Sequence, residues 1–151
     1  MGEIKIYFDI GQNFELINFN PLNGLTGLYF IFLSKTFIEY PFKKSKLIYI
    51  GMSEKKTNSI GARLTEHFVG QSGNKGIFNY KVKEQLKFTY INFKMFQQIW
   101  SNEVEDLETF FILDFVKNFG VYPICNNKTS FEVYNNKEIS CSLKIDWDYF
   151  K

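Results

Sequence analysis

Arginine and histidine are nearly missing from this chain. Of its 18 lysine and arginine side chains, 17 are lysine and one is arginine, and there is a single histidine. Cysteine is almost as scarce. Cys125 and Cys141 are too few for a disulfide framework, and no C-x-x-C pair marks a zinc site, so both are expected to be free thiols. No sign of charge is in excess: a net charge of +2 is too mild for composition alone to indicate a nucleic-acid-binding protein, and only local clustering can carry such a reading. The longest apolar run, Leu28 to Leu33, is far too short to cross a membrane. Met1-Gly2-Glu3-Ile4-Lys5 lacks the charged-then-apolar pattern of a secretory signal, and a soluble, cytoplasmic chain is the expectation.

Aromatics, in contrast, are plentiful, with 18 Phe and 9 Tyr among 151 residues. An AT-rich coding sequence would enrich Phe, Tyr, Ile, Asn and Lys and deplete Arg together. A 45% hydrophobic and 23% charged composition is ordinary for a globular protein, and the length suits one domain spanning 1–151.

The hydrophobic pattern predicts an α+β fold. Ile4 to Ile10 alternates as a strand, and Phe14 to Phe19 reads as a second short one before the turn at Asn20-Pro21-Leu22-Asn23-Gly24. Gly27 to Leu33 is a buried central strand by length and composition, and Leu47 to Gly51 pairs with it most simply as an antiparallel hairpin. Between them, 34–46 is a loop with a short edge strand. Ser59 is a good N-cap for a helix from Ile60 to about Val69, and Gln71 to Gly76 is a loop. A short helix over 77–85 and a strand over 87–96 follow. The clearest helix opens at Ser101 or Asn102, runs to a C-cap at Gly120, and places Val104, Glu108, Phe111 and Phe115 on one face. The tail reads as a β-hairpin: Ser130 to Tyr134, a turn at Asn135-Asn136, then a strand to Phe150.

Two features of this pattern call for chemistry. Arg63 and His67 lie four apart on the predicted helix, so they share a face: a permanent cation beside a group that titrates near neutral pH. Where lysine serves every generic positive charge, one arginine suggests a planar fork for a phosphate or carboxylate. Gly61 in the first turn leaves room for a phosphate or another backbone to approach. Glu108 on an aromatic helix face either reaches solvent at the rim or meets a cation.

Gly27-Leu28-Tyr29, Tyr49-Ile50-Gly51, Arg63 with His67, Glu108 and Pro123 leading to Asn126 occur in an order that resembles the GIY-YIG nuclease superfamily. The resemblance covers about 25–128 and implies a small antiparallel three-stranded sheet flanked by helices, with N-terminal strands in 1–24 and a C-terminal hairpin over 129–151 as additions. It implies a Mg²⁺-dependent (or Mn²⁺-dependent) DNA endonuclease. Tyr29 and Tyr49 resemble the paired motif tyrosines, Arg63 the phosphate-binding arginine, His67 its companion one turn later, and Glu108 the metal-binding glutamate. Gly27, Gly51 and Asn126 would support the site, with Asn127 as the competing choice for the last. Tyr29 is expected to be base or relay, assisted by Tyr49 or His67. Two departures stand out. Met52 follows the second motif where many relatives carry a polar or basic residue, so Lys55 or Lys56 would have to assist. The long interval between the tyrosines carries Lys43, Lys44 and Lys46, which could contact the DNA backbone. A compact restriction-type enzyme acting as a homodimer is the leading expectation. A nicking or partner-targeted module is the first alternative, and a non-catalytic DNA-binding protein on the same fold the second.

Overall fold

The computed structural model describes residues 4–97, 99–100, 103–126 and 143–151. In chain order the strands are β1 (Ile4–Ile6), β2 (Gln12–Asn13), β3 (Gly27–Leu33), β4 (Ile38–Glu39), β5 (Lys44–Ser45), β6 (Leu47–Ser53), β7 (Leu86–Asn92) and β8 (Leu143–Ile145). The α-helices are α1 (Leu16–Phe19), α2 (Ile60–Val69), α3 (Lys75–Lys83), α4 (Phe93–Phe96) and α5 (Val104–Phe119). The fold is α+β, and none of the described helices is long and apolar enough to cross a membrane.

β3 organises the rest. All seven of its residues are buried, as a strand covered on both faces requires. Its side chains alternate between two cores. Leu28, Phe30 and Phe32 pack with Phe111 and Phe115 of α5 and with Trp147 and Phe150. Tyr29, Ile31 and Leu33 pack with Phe19, Ile60, Leu64 and Phe88 beneath α1 and α2. The antiparallel partners put Gly51 of β6 on one side of Tyr29 and Tyr90 of β7 on the other.

The central sheet has four strands, in the order β2-β7-β3-β6, where three were expected. The added strand follows from Phe14. This ring is buried against Phe19 and Phe68, and its N–H bonds the Leu86 carbonyl at 2.9 Å, which lays Gln12 and Asn13 along the free edge of β7. The segment expected as a strand over 14–19 is therefore a turn into α1. It continues as a 3₁₀ turn over Asn20–Leu22 that buries Phe19 and Leu22 three residues apart, as that helix's period demands.

Other boundaries differ for local reasons. The strand expected over 4–10 stops at Ile6, and Phe8 instead packs its ring on Phe30 and Phe150. The strand expected over 87–96 ends at Asn92, whose side chain caps α4 by accepting the Lys94 N–H at 3.1 Å. α5 opens after Glu103, whose N–H bonds Asp106 at 3.3 Å; Ser101 and Asn102 lie outside the described residues. The tail departs furthest. β8 is three residues long and pairs in parallel with β1, and a 3₁₀ turn over Trp147–Phe150 then buries both of its ends. The remaining tail positions, 129–142, with the expected hairpin turn and Cys141, lie outside the described residues.

Candidate active site

Tyr29 leaves β3 toward α2 and is fully buried. It fits only because its partner across the sheet is Gly51: a β-carbon there would lie 2.3 Å from Tyr29 Cζ and 2.5 Å from its Oη. α2 starts where expected, with Ser59 accepting the Ala62 N–H at 3.4 Å, and it ends at Gly70 with φ 80°. Gly61 admits backbone: a β-carbon would lie 2.7 Å from the Phe19 carbonyl and 2.5 Å from Asn23 Oδ1, so this glycine seats α1 and its following turn on α2. Gly27, with φ 144°, likewise serves the close approach of β3 to the backbone of Ile91 and Phe93.

Seated this way, α2 turns Arg63 and His67 to the sheet. Arg63 Nε donates to Tyr29 Oη at 3.3 Å, and Tyr29 Oη lies 2.9 Å from His67 Nε2. On the far side of the imidazole, Nδ1 is 2.7 Å from Ser72 Oγ. Tyr49, half-buried on the edge strand β6, brings its ring to 6.0 Å from that of Tyr29 and 5.2 Å from His67 between centroids. Glu108 comes from α5, on the other face of the sheet, and acts electrostatically on Tyr29, Tyr49 and Arg63. The cluster is thus built around the edge strand from both sides.

Burial sets its protonation. The Tyr29 hydroxyl is pushed well above its ordinary range by burial and then by Tyr49, with Arg63 opposing. Burial raises Tyr49 too. Tyr29 is therefore a phenol that keeps its proton, which favours relay over resident base. His67 is lowered to about 4, first by burial and then by Arg63, so it is neutral at pH 7. One proton order runs along the row, with Tyr49 a further hydrogen-bond partner of Tyr29. Arg63 donates to Tyr29, Tyr29 to His67 Nε2, and the Nδ1–H to Ser72, which also accepts the Asn74 N–H at 3.2 Å. His67 should then rest as the Nδ1–H tautomer, and Ser72→Ala should shift it toward Nε2–H. As the chain's lone histidine, its ¹⁵N shifts report this without assignment ambiguity; an unchanged tautomer would remove Ser72 from the row.

Glu108 is held at about 7 by burial, which Arg63 opposes without overcoming and to which Glu105 and Glu54 add. Without metal, it and His67 tilt stability against pH in opposite senses. The neutral His67 contributes stability that is lost on acidification between about 6.5 and 4, because the unfolded chain takes up that proton first. The protonated Glu108 contributes stability present below 4.5 and lost as pH rises to about 7. The two offset each other where the windows overlap. In EDTA, Glu108→Gln should leave the His67 limb alone, so that Tm, followed by circular dichroism, climbs steadily from about pH 4.5 to 6.5. A flat curve in the variant would contradict this.

Of the residues that hold the cluster, sequence reasoning named Asn126 and missed Asn58, Ser72 and Asn74. With its amide turned to match donors to acceptors, Asn58 accepts from Arg63 Nη1 at 3.2 Å and donates to Glu66 Oε1 at 3.2 Å. Asn74 caps α3 and donates to the Cys125 carbonyl at 2.9 Å. Asn126 grips the outer edge of β6 between Tyr49 and Gly51: Oδ1 accepts the Ile50 N–H at 2.9 Å, and Nδ2 donates to the Ile50 carbonyl at 2.8 Å. Asn127 lies outside the described residues. The Cys125 thiol is free and pushed up to about 12 by burial. No motif announced Ser72, Asn58 or Asn74, because each acts through a loop whose path only the fold determines.

The lysines divide. Lys55 and Glu54 join Arg63, Met52, Ser53 and Asn58 around a cleft of about 190 Å³. Lys56 is exposed at the start of the 3₁₀ turn before α2. Lys43 and Lys44 lie elsewhere, their ammonium groups over Phe119 and Phe37 at 4.9 and 5.0 Å, and the Lys46 N–H bonds the Phe150 carbonyl. Phe119 is at the far end of α5, about 16 Å along the helix from Glu108. Among the described residues no three His, Cys, Asp or Glu side chains group into a metal cage. Glu108, whose burial Arg63 does not fully offset and on which Glu105 and Glu54 also act, fits an ion that keeps most of its water, as Mg²⁺ does.

Compared with family models, curated proteins and solved structures, the chain matches none.

Proposed function

We propose that this protein is a Mg²⁺-dependent (or Mn²⁺-dependent) DNA endonuclease of the GIY-YIG kind. The observation that carries the reading is the contact row Arg63–Tyr29–His67, three motif residues from two elements, with Tyr49 and Glu108 coupled to it across the edge strand. Arg63, half-buried, lines the cleft, with Nε and Nη1 held by Tyr29 and Asn58 and a further hydrogen bond to Tyr49. That orients positive charge where a phosphodiester gains negative charge in its transition state. Tyr49 is the more open tyrosine and faces the substrate side, while Tyr29 passes a proton inward to His67. Lys55 supplies the rim charge that Met52 lacks. Glu108 would hold the divalent cation, which when bound supplies charge for the phosphate oxygens.

One such cluster per chain favours a homodimer for cutting both strands, as in a compact restriction-type enzyme. The same single cluster is what a nicking or partner-targeted module would carry. Closed circular plasmid separates them. Discrete linear products that require Mg²⁺ and vanish in EDTA are expected of the restriction-type enzyme, and nicked circles alone would establish the second reading. Tight DNA binding without any cleavage would instead point to a non-catalytic module.

A further inference from the structure

Lys5 and Lys144 are direct partners in the parallel pairing of β1 with β8. The flanking pair Ile6 and Ile145 is buried, which fixes the register and leaves both lysines exposed on the opposite face. Paired positions on neighbouring strands stand about 5 Å apart, and like charges directly opposite one another are destabilising. The ladder therefore sets two lysine side chains on directly opposed positions of one exposed face. A third, Lys43, comes to the same depression of about 290 Å³, beside the exposed Tyr7. Through Lys43, Trp147 and Asp148 this depression continues into a second, of about 410 Å³, which adds Lys44 and Lys151. Five lysines against Asp146 and Asp148 give this groove a net +3, more than the +2 of the entire chain. No ion pair engages these lysines among the described residues.

We propose that Lys5, Lys43 and Lys144 form a phosphate-binding site that anchors a nucleic-acid backbone away from the cleaving cleft. Ammonium groups offer only donors and positive charge, and a phosphodiester offers only acceptors and negative charge. The groove gives the terminal elements β1 and β8, which contribute nothing to the Arg63–Tyr29–His67 row, a task of their own. The choice of nucleic acid over another phosphate rests on the proposed function, so the test is binding and not cleavage.

The experiment is fluorescence anisotropy of a labelled duplex in EDTA, from about 50 to 200 mM salt, with wild type, Lys5→Gln/Lys144→Gln and Lys5→Glu/Lys144→Glu. The neutralised variant should bind about tenfold more weakly, with a salt slope smaller by about 1.8, as loss of two phosphate contacts requires. Its Tm should be equal to or higher than that of wild type, because the opposed charges are gone; loss of binding together with a lower Tm would mean a structural role and overturn the site. The charge-reversed variant should bind more weakly still. Unchanged affinity and slope, or a wild type that binds no duplex, would overturn it too. Amide shifts at Lys5 and Lys144 with inorganic phosphate, alongside unchanged duplex affinity in the variants, would reassign the groove to a free phosphate and overturn the backbone anchor. A wild type that binds but never cleaves would leave the anchor standing and defeat only the nuclease reading.

Discussion

Arg63→Lys should cut DNA about 10²- to 10³-fold more slowly than wild type, although it keeps the charge. Lysine is a single point of donation on a flexible stem, and Arg63 is used as a fork. Its Nε holds Tyr29 at 3.3 Å, its Nη1 is turned to Asn58 at 3.2 Å, and the side chain so fixed lines the cleft. Lysine cannot meet both partners and a phosphate at once. The expected signature is a fall in the single-turnover rate constant with little change in duplex affinity, since the interaction matters most as charge grows on the phosphate. A lysine variant as fast as wild type would reduce Arg63 to a generic cation, a task the 17 lysines already fill. Asn58→Ala should show a weaker version of the same loss, through a side chain that never touches substrate.

Glu108→Ala should fall further, by about 10³-fold or more, because it removes the carboxylate proposed to hold the cation. The stability readout should move the other way. Glu108 is half-buried with its carboxyl held at about 7, so at pH 8 the folded apo protein bears an ionised group whose burial is unfavourable. Removing it should leave Tm in EDTA equal or higher at that pH. A structural carboxylate would behave oppositely, losing stability and activity together. Calorimetry of Mg²⁺ binding to wild type and variant completes the test; equal heats would place the cation elsewhere.

Much of this arrangement is legible from one-dimensional pattern. Continuous burial of Gly27–Leu33, the Ser59 cap and the spacing of Arg63 and His67 all follow from local rules, and the structure places each as those rules expect. The motif glycines were legible as positions but not as reasons. Gly51 makes room for the Tyr29 ring, and Gly61 for the backbone at Phe19, because each answers to a residue distant in sequence. The misread segments share one cause. Phe14–Phe19 and Trp147–Phe150 are short and rich in apolar residues, and an apolar residue every second or third position fits a strand or a 3₁₀ turn equally well. Their form was decided by which core each ring enters, a tertiary matter. Ser72 and Asn74 were hidden in a stretch whose Gly, Ser and Asn content reads as flexible loop, although two of its side chains carry the bonds from His67 to Cys125.

The most direct test of a shared catalytic site is the cleavage rate on closed circular plasmid for wild type and Glu108→Ala, with Mg²⁺ and with EDTA, beside duplex binding by both proteins. Metal-dependent cleavage by wild type, lost in Glu108→Ala with binding intact, is the result the account predicts. Cleavage by the variant at the wild-type rate, or binding without cleavage by the wild type across varied DNAs, would contradict it.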